Sequence, residues 1–256
     1  MALFGGKSSS QLTLTDALMV GFRMVLQPNF IIPIIVIGVI VNLVVIAAIV
    51  PIVLGLVLGG STGNAAVIGG AIVAGILGAV IAGIIGGLIL NLYGQVWATM
   101  ASVGDAPAVN ATFTRVGERW IGILGAGIIT GGITLGIIIV GGIVAATLGA
   151  LGALVLIVAV VAAIYIGARL SMSGWLAADG AAAMDAVKGS WALTQGKLLL
   201  IVGWGIAFAI VFGIVGAIIS TILGIVPAVG PALAQAIVSG FGFGAGVSLY
   251  RKVKGD

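Results

Sequence analysis

The sequence predicts an all-α, polytopic transmembrane helical bundle, and three observations carry that prediction. Ten Lys and Arg and six Asp and Glu are confined to residues 7–23, 105–119, 169–197 and 251–256. The blocks between these stretches hold no Asp, Glu, Lys or Arg, and the chain has no His. One crossing of a ~30 Å hydrocarbon core takes ~20 apolar residues, so each block has room for two. The composition is 62% hydrophobic and 6% charged, with a mean hydropathy of +1.41, whereas a water-soluble domain carries roughly 25% charged residues. Each block therefore reads as an out-and-back hairpin, giving six spans with both termini on the charged side.

The elements follow in order. An amphipathic segment sets Leu18, Phe22, Val25 and Leu26 against Asp16, Arg23 and Gln27, the pattern of a helix lying in the membrane interface. Span one covers residues 30–58, with Pro33 near its start and Pro51 towards its far end, and residues 59–64 form a turn. Span two begins near Ala65 and continues past Tyr93 to Met100, long enough to tilt or to project from the bilayer. A second amphipathic segment sets Val109, Phe113, Val116 and Trp120 against Asn110, Thr114 and Glu118, and leads into spans at 120–144 and 149–168. A third sets Met184, Val187 and Trp191 against Asp185, Lys188 and Gln195. It leads into span five at 198–223, a Pro227/Pro231 turn and span six at 232–250. The layout is thus three hairpins, each preceded by a short interfacial amphipathic helix. The pseudo-repeats at about 12–100, 106–168 and 180–250 lie within a single integral membrane domain spanning 1–256. No short apolar leader with a small-residue cleavage site is visible, so the first hairpin is expected to act as its own signal-anchor.

Apolar side chains gain little by leaving lipid for one another, so close backbone approach through small residues must hold such a bundle together. Gly70, Ala74, Gly78, Ala82 and Gly86 make one row on span two, and Gly75, Ala79, Gly83 and Gly87 a second, which places this helix in the middle of the bundle. Similar GxxxG-like rows are Gly205, Ala209, Gly213, Ala217 and Thr221 on span five, Ala232, Ala236, Gly240 and Gly244 on span six, and Gly122, Ala126, Thr130 and Thr134 on span three. Rows in excess of what one subunit needs point to other membrane subunits or to a second copy of the chain. Tyr93, Trp97, Trp120, Tyr165, Trp175, Trp191 and Tyr250 all fall near charged ends of spans, as an interfacial aromatic belt would.

The net charge of +4 lies in short loops flanking spans. Positive-inside bias then puts the charged side, with both termini, in the cytoplasm, in contact with anionic headgroups rather than nucleic acid. Without Cys or His, disulfides, Cys/His zinc sites, iron–sulfur clusters and His-ligated haem are excluded, and no cofactor is expected. No span holds an ionisable acid or base, the usual mark of proton relays and ion pathways. A candidate polar pocket is formed by Asn42, Asn91 and Gln95, and candidate lipid-phosphate contacts are Arg115, Arg119, Arg169, Lys188 and Lys197.

Residues 169–196 read RLSMSGWLAADGAAAMDAVKGSWALTQG. This stretch resembles a family of six-span bacterial and archaeal membrane proteins, which includes the membrane domain attached to some glycerophosphodiester phosphodiesterases and related stand-alone proteins. The resemblance rests on Arg169, Asp179-Gly180, Ala186, Ser190, Trp191, Leu193, Thr194 and Gly196, and on Pro28-Asn29-Phe30 before span one. Two departures are that Ser171 to Gly174 lacks the family's usual prolines and that no soluble phosphodiesterase domain is present. The resemblance therefore implies a non-catalytic module of a prokaryotic plasma (inner) membrane, serving as a partner or platform for other proteins. Together these readings predict a non-enzymatic accessory subunit or scaffold. The alternative is a transporter, channel or lipid-handling protein with its polar site near Asn42 and Asn91.

Overall fold

The computed structural model describes residues 11–223, 226 and 229–255, the side chain of Ala150 excepted. Lys7, Asp256 and Pro227 of the expected outer turn lie outside the described residues. The described chain is all-α. Its helices are α1 (Leu14–Val25), α2 (Pro28–Thr62), α3 (Ala65–Val103), α4 (Val109–Thr147), α5 (Gly152–Leu170), α6 (Ser173–Asp179), α7 (Ala183–Leu193), α8 (Leu198–Leu223) and α9 (Val229–Lys254). Six helical segments are long and apolar enough to cross a membrane, with α5 and α6 together forming the fourth, so the chain is a multi-pass membrane protein.

Local chemistry sets the helix ends. α1 opens with a capping box: Thr13 Oγ1 accepts from Asp16 N–H at 3.2 Å, and Asp16 Oδ2 accepts from Thr13 N–H at 2.9 Å. Pro28 follows at the start of α2, where its missing N–H is harmless. At the far end of α2 the hydroxyls of Ser61 and Thr62 donate to Leu58 O, and Gly63 closes the helix at φ +65°. Asn64 Oδ1 then accepts from Ala66 and Val67 N–H to cap α3. A two-residue link thus satisfies both helix ends with no charged group. Pro33, inside α2, deprives the Asn29 carbonyl of its helical donor; the Tyr93 hydroxyl of α3 donates to that carbonyl instead.

The second amphipathic segment is not a separate interfacial helix. Residues 109–119 are the first turns of α4, which runs unbroken for 39 residues, because nothing between Pro107 and Thr147 interrupts its hydrogen-bond ladder. The aromatic belt also differs from expectation. Trp97, Tyr93, Trp175 and Tyr250 are buried, because Trp97 packs on Phe30, Tyr93 on Phe113, Trp175 on Phe243 and Tyr250 on Trp175 rather than facing headgroups. Phe30 and Trp97 centroids lie 5.0 Å apart, and Trp175 and Tyr250 stack at 6.4 Å. Trp120, Tyr165 and Trp191 are exposed.

Bulky buried side chains are concentrated at this charged end. Beyond Ile34 in α2, before Leu90 in α3, after Ile123 in α4 and before Leu170 in α5, every buried residue is Gly or Ala. α3 does not occupy the middle of the bundle: 11% of its apolar stretch is buried, against 50% for α9. α9 takes that place because its glycines admit α1 and α6. A Cβ on Gly244 would overlap Gly21 of α1, one on Gly240 would lie 2.5 Å from the Val25 side chain, and one on Gly246 would strike the Trp175 ring. α3 meets α2 on a face that mixes positions from both small-residue rows. Gly75 receives Ile52 and Gly86 receives Val41, while Gly70, Gly83 and Gly87 have nothing within 4 Å.

Gly38 meets Ala232 near the start of α9. Past that level α2 and α3 each continue for about twenty residues, ~30 Å, and bury only Gly55, Gly59, Gly75 and Gly86.

Gly244→Ala is expected to lower the thermal unfolding midpoint of the purified protein by the equivalent of about 1–3 kcal/mol, since backbone rather than a flexible side chain opposes the new methyl. Gly83→Ala, facing open space, should be neutral or slightly stabilising. A Gly244→Ala protein as stable as the parent would remove the α1–α9 contact from the account.

Candidate functional site

α3 brings Asn91 and Gln95 together one helical turn apart, and Gln95 Nε2 donates to Asn91 Oδ1 at 2.8 Å. Beside them is a cavity of about 370 Å³ between α3, α4 and the start of α6, walled by Leu88, Leu92, Ile123, Leu124 and Ile128 and by Gly127 and Gly174. Gln95 Oε1 is buried without a hydrogen-bond partner. Thr130 and Ser173 hydroxyls bond at 3.0 Å nearby, joining α4 to α6. Asn42 is half-buried on α2 and does not line this cavity. Nor does it line the crevice of about 430 Å³ between α2 and α3, which is walled by Ile37, Val41, Val44, Ile81, Ile85 and Ile89 among others. Helical phase accounts for the separation: Gly86 faces α2, and Asn91, five residues on, points about 140° away from it.

The five candidate headgroup cations serve separate parts of the structure. Arg115 pairs with Glu118 at 2.9 Å on the surface of α4, a pair worth little in such an exposed place. Arg119 donates to Gly180 O at 3.0 Å. Gly180 closes α6 at φ +124°, and a Cβ there would lie 2.6 Å from the Arg119 guanidinium, so two constraints require glycine. Lys197 donates to Val253 O. Arg169 lies over the rings of Trp191 and Tyr165, at 4.9 and 5.7 Å, a cation–π arrangement. Lys188 is exposed on α7.

The motif residues converge on the break between α5 and α6. Ser171 takes the Ala168 carbonyl through both its N–H and its hydroxyl, which leaves Met172 N–H without its helical acceptor. Ser190 Oγ supplies one: it accepts from Met172 N–H at 3.1 Å and donates to Arg169 O at 2.8 Å. Thr194 Oγ1 points into the same carbonyls, 2.8 Å from Ser190 O and 3.1 Å from Arg169 O. Gly196, at φ +74°, then turns the chain towards α8. Ser190, Trp191 and Thr194 thus clamp a helix break, and Gly196 frees the chain to leave it.

Several contacts at the charged end have no sequence signal beyond a basic last turn in α9. Arg251 donates to Ser102 O, Lys252 donates to Leu12 O, and Asp179 Oδ2 accepts from Tyr250 at 2.9 Å and from Lys254 at 3.0 Å. These bonds draw residues from opposite ends of the chain to one place. Compared with family models, with curated proteins and with solved structures, the chain finds no match.

Ser190→Ala is expected to destabilise the protein by about 1–3 kcal/mol, because it strands Met172 N–H in a buried position. Ser171→Ala, on an exposed residue, should shift stability by less than about 0.5 kcal/mol. Equal effects in thermal unfolding would separate the motif from the helix break.

Proposed function

We infer that the chain is a non-enzymatic accessory subunit or scaffold of a membrane complex in a prokaryotic plasma membrane. Its charged end and both termini lie in the cytoplasm. In that membrane α2–α3, α4–α5 and α8–α9 are the three hairpins, with α1 and α7 in the interface and the counterpart segment fused to α4. The observation that carries the reading is the α2–α3 arm. It continues ~30 Å beyond the start of α9, exposes Leu43, Val44, Leu54, Val73 and Leu77, and within its own subunit packs mainly helix on helix. Its outward glycines offer the close approach that holds helices together in lipid. The cations at the charged end support the same reading, since Arg119, Lys197 and Arg251 bond helix carbonyls, a structural use. The likeness at residues 169–196 to a non-catalytic membrane module agrees with it.

Native mass spectrometry after extraction from the source membrane in a mild polymer should show a stoichiometric second protein. Gly70→Leu with Gly83→Leu puts bulk on open faces of α3, and is expected to abolish that mass while leaving the unfolding midpoint within about 0.5 kcal/mol equivalent. A lone subunit from the source membrane sinks the reading.

The chain has no Cys, so orientation is testable directly. Single cysteines at Thr62 and Thr147 should react with an impermeant maleimide on intact cells, and those at Ala108 and Lys254 only after lysis. The reverse pattern would invert the proposed topology.

A further inference from the structure

Arg169 is a cation with an unfinished set of partners. Its carbonyl accepts from the Ser190 and Thr194 hydroxyls, but its guanidinium makes no hydrogen bond or ion pair among the described residues. Nε and Nη1 are buried without acceptors. The rings of Trp191 and Tyr165 cover the group, their centroids 4.9 and 5.7 Å from its central carbon and 6.3 Å from each other. Nη2 is the guanidinium nitrogen that reaches the surface. The rings offset part of the desolvation, yet a partly dehydrated cation gains more from an anion at its open edge than from water. The acids of α4, α6 and α7 do not supply one. Glu118 is paired with Arg115, and Asp179 with Tyr250 and Lys254; Asp185 lies about 120° round α7 from Trp191. Lys188 stands one turn before Trp191 on its side of α7, and is exposed. Next to Arg169 the surface is apolar. Tyr165, Val161, Val158 and Leu154 precede it on one face of α5, and all are exposed. From Tyr165 to Leu154 this stripe runs about 16 Å, the depth of one leaflet of a ~30 Å hydrocarbon core.

We propose that Arg169 and Lys188 hold the phosphate of an anionic phospholipid, with an acyl chain lying along Val161, Val158 and Leu154. A phosphate oxygen accepts from Nη2, the donor edge that the rings leave open. The contact is therefore made through one nitrogen and not through the two-nitrogen fork that a free guanidinium offers. The Lys188 ammonium adds a second positive charge on the same side, while Trp191 and Tyr165 lie at headgroup level. The ammonium of a zwitterionic headgroup meets two cations on this face and no free carboxylate, so a lipid of net negative charge is preferred. A free phosphate shares the headgroup chemistry but makes no use of the α5 stripe. The site lies on α5 and α7 and is independent of the α2–α3 arm and of any protein partner.

The test uses the full chain in phosphatidylcholine nanodiscs, with trace phosphatidylglycerol or phosphatidylcholine carrying the same tail diazirine. The phosphatidylglycerol probe is expected to label peptides of α5 about tenfold more than the phosphatidylcholine probe, the effect of two cations near a membrane surface. Peptides of the uncharged α2–α3 arm should be labelled equally by both. Arg169→Gln should erase the α5 preference. Lys188→Glu, on an exposed residue, puts an acid beside the phosphate and should erase it with the unfolding midpoint unchanged. That second variant decides the matter if loss of the Arg169 stacking unfolds the protein. Equal labelling of α5 by the two probes, or a preference that survives in either folded variant, overturns the proposal. Displacement of the phosphatidylglycerol probe by millimolar inorganic phosphate assigns the site to a soluble phosphate and overturns the lipid; retention of the probe supports it.

Discussion

The structure depends on how helices are allowed to end at its charged side. A helix terminus leaves carbonyls without donors, and three of those ends are met by basic side chains from elsewhere in the chain. Arg251 reaches Ser102 in the last turn of α3, Arg119 reaches Gly180 at the close of α6, and Lys197 reaches Val253 in the last turn of α9. Each cation also meets the negative end of a helix dipole. The residues expected to orient the chain in a membrane therefore tie its helices together as well. α9 is the element most bound by this arrangement, because its last turn carries Arg251, Lys252 and Lys254 and its carbonyls receive Lys197.

Away from that end the packing changes in kind. At the charged end large rings and aliphatic chains interlock around Trp97, Tyr93 and Phe30, as in a water-soluble core. Farther along α2 to α5 only Gly and Ala are buried. Lipid is as apolar as Leu, so tucking a large side chain inward brings no transfer gain there. Close backbone contact does bring a gain, and it needs residues without bulk: Gly55 beside Ala71, Gly75 beside Ile52, Gly141 beside Ala159.

Much of this arrangement was legible in the sequence. The charge-free blocks located six membrane-length helices, and the tip between α2 and α3 was marked by its Gly, Ser, Thr and Asn. Three things were not legible, for definable reasons. Helical phase separates Asn42 from Asn91 and Gln95, and it depends on which face of α3 meets α2, which the two overlapping rows of small residues left undetermined. The role of Tyr93 depends on a carbonyl freed by Pro33, sixty residues earlier in the fold's logic but adjacent in space. The motif at Ser190, Trp191 and Thr194 stood out as a pattern, yet its task, bridging the α5–α6 break, appears only once α7 has folded back on Arg169.

The length of the α2–α3 arm then acquires a physical meaning. Helices of 35 and 39 residues span ~52 and ~58 Å, against a hydrocarbon core of ~30 Å. Part of the excess is taken up at the charged end, where α3 runs into the packed ring cluster. The rest is uncharged to its tip, so the arm must tilt steeply, thicken the bilayer around it, or be sheathed by another apolar surface. Tilt alone would need more than the ~20° typical of such helices, and few contacts with its own subunit brace the arm against the lean. Under the proposed scaffold reading, a neighbour covering the open glycine positions of α3 would remove the mismatch and brace the arm in one step, and that reading therefore places the partner on the arm rather than on the better-packed charged end.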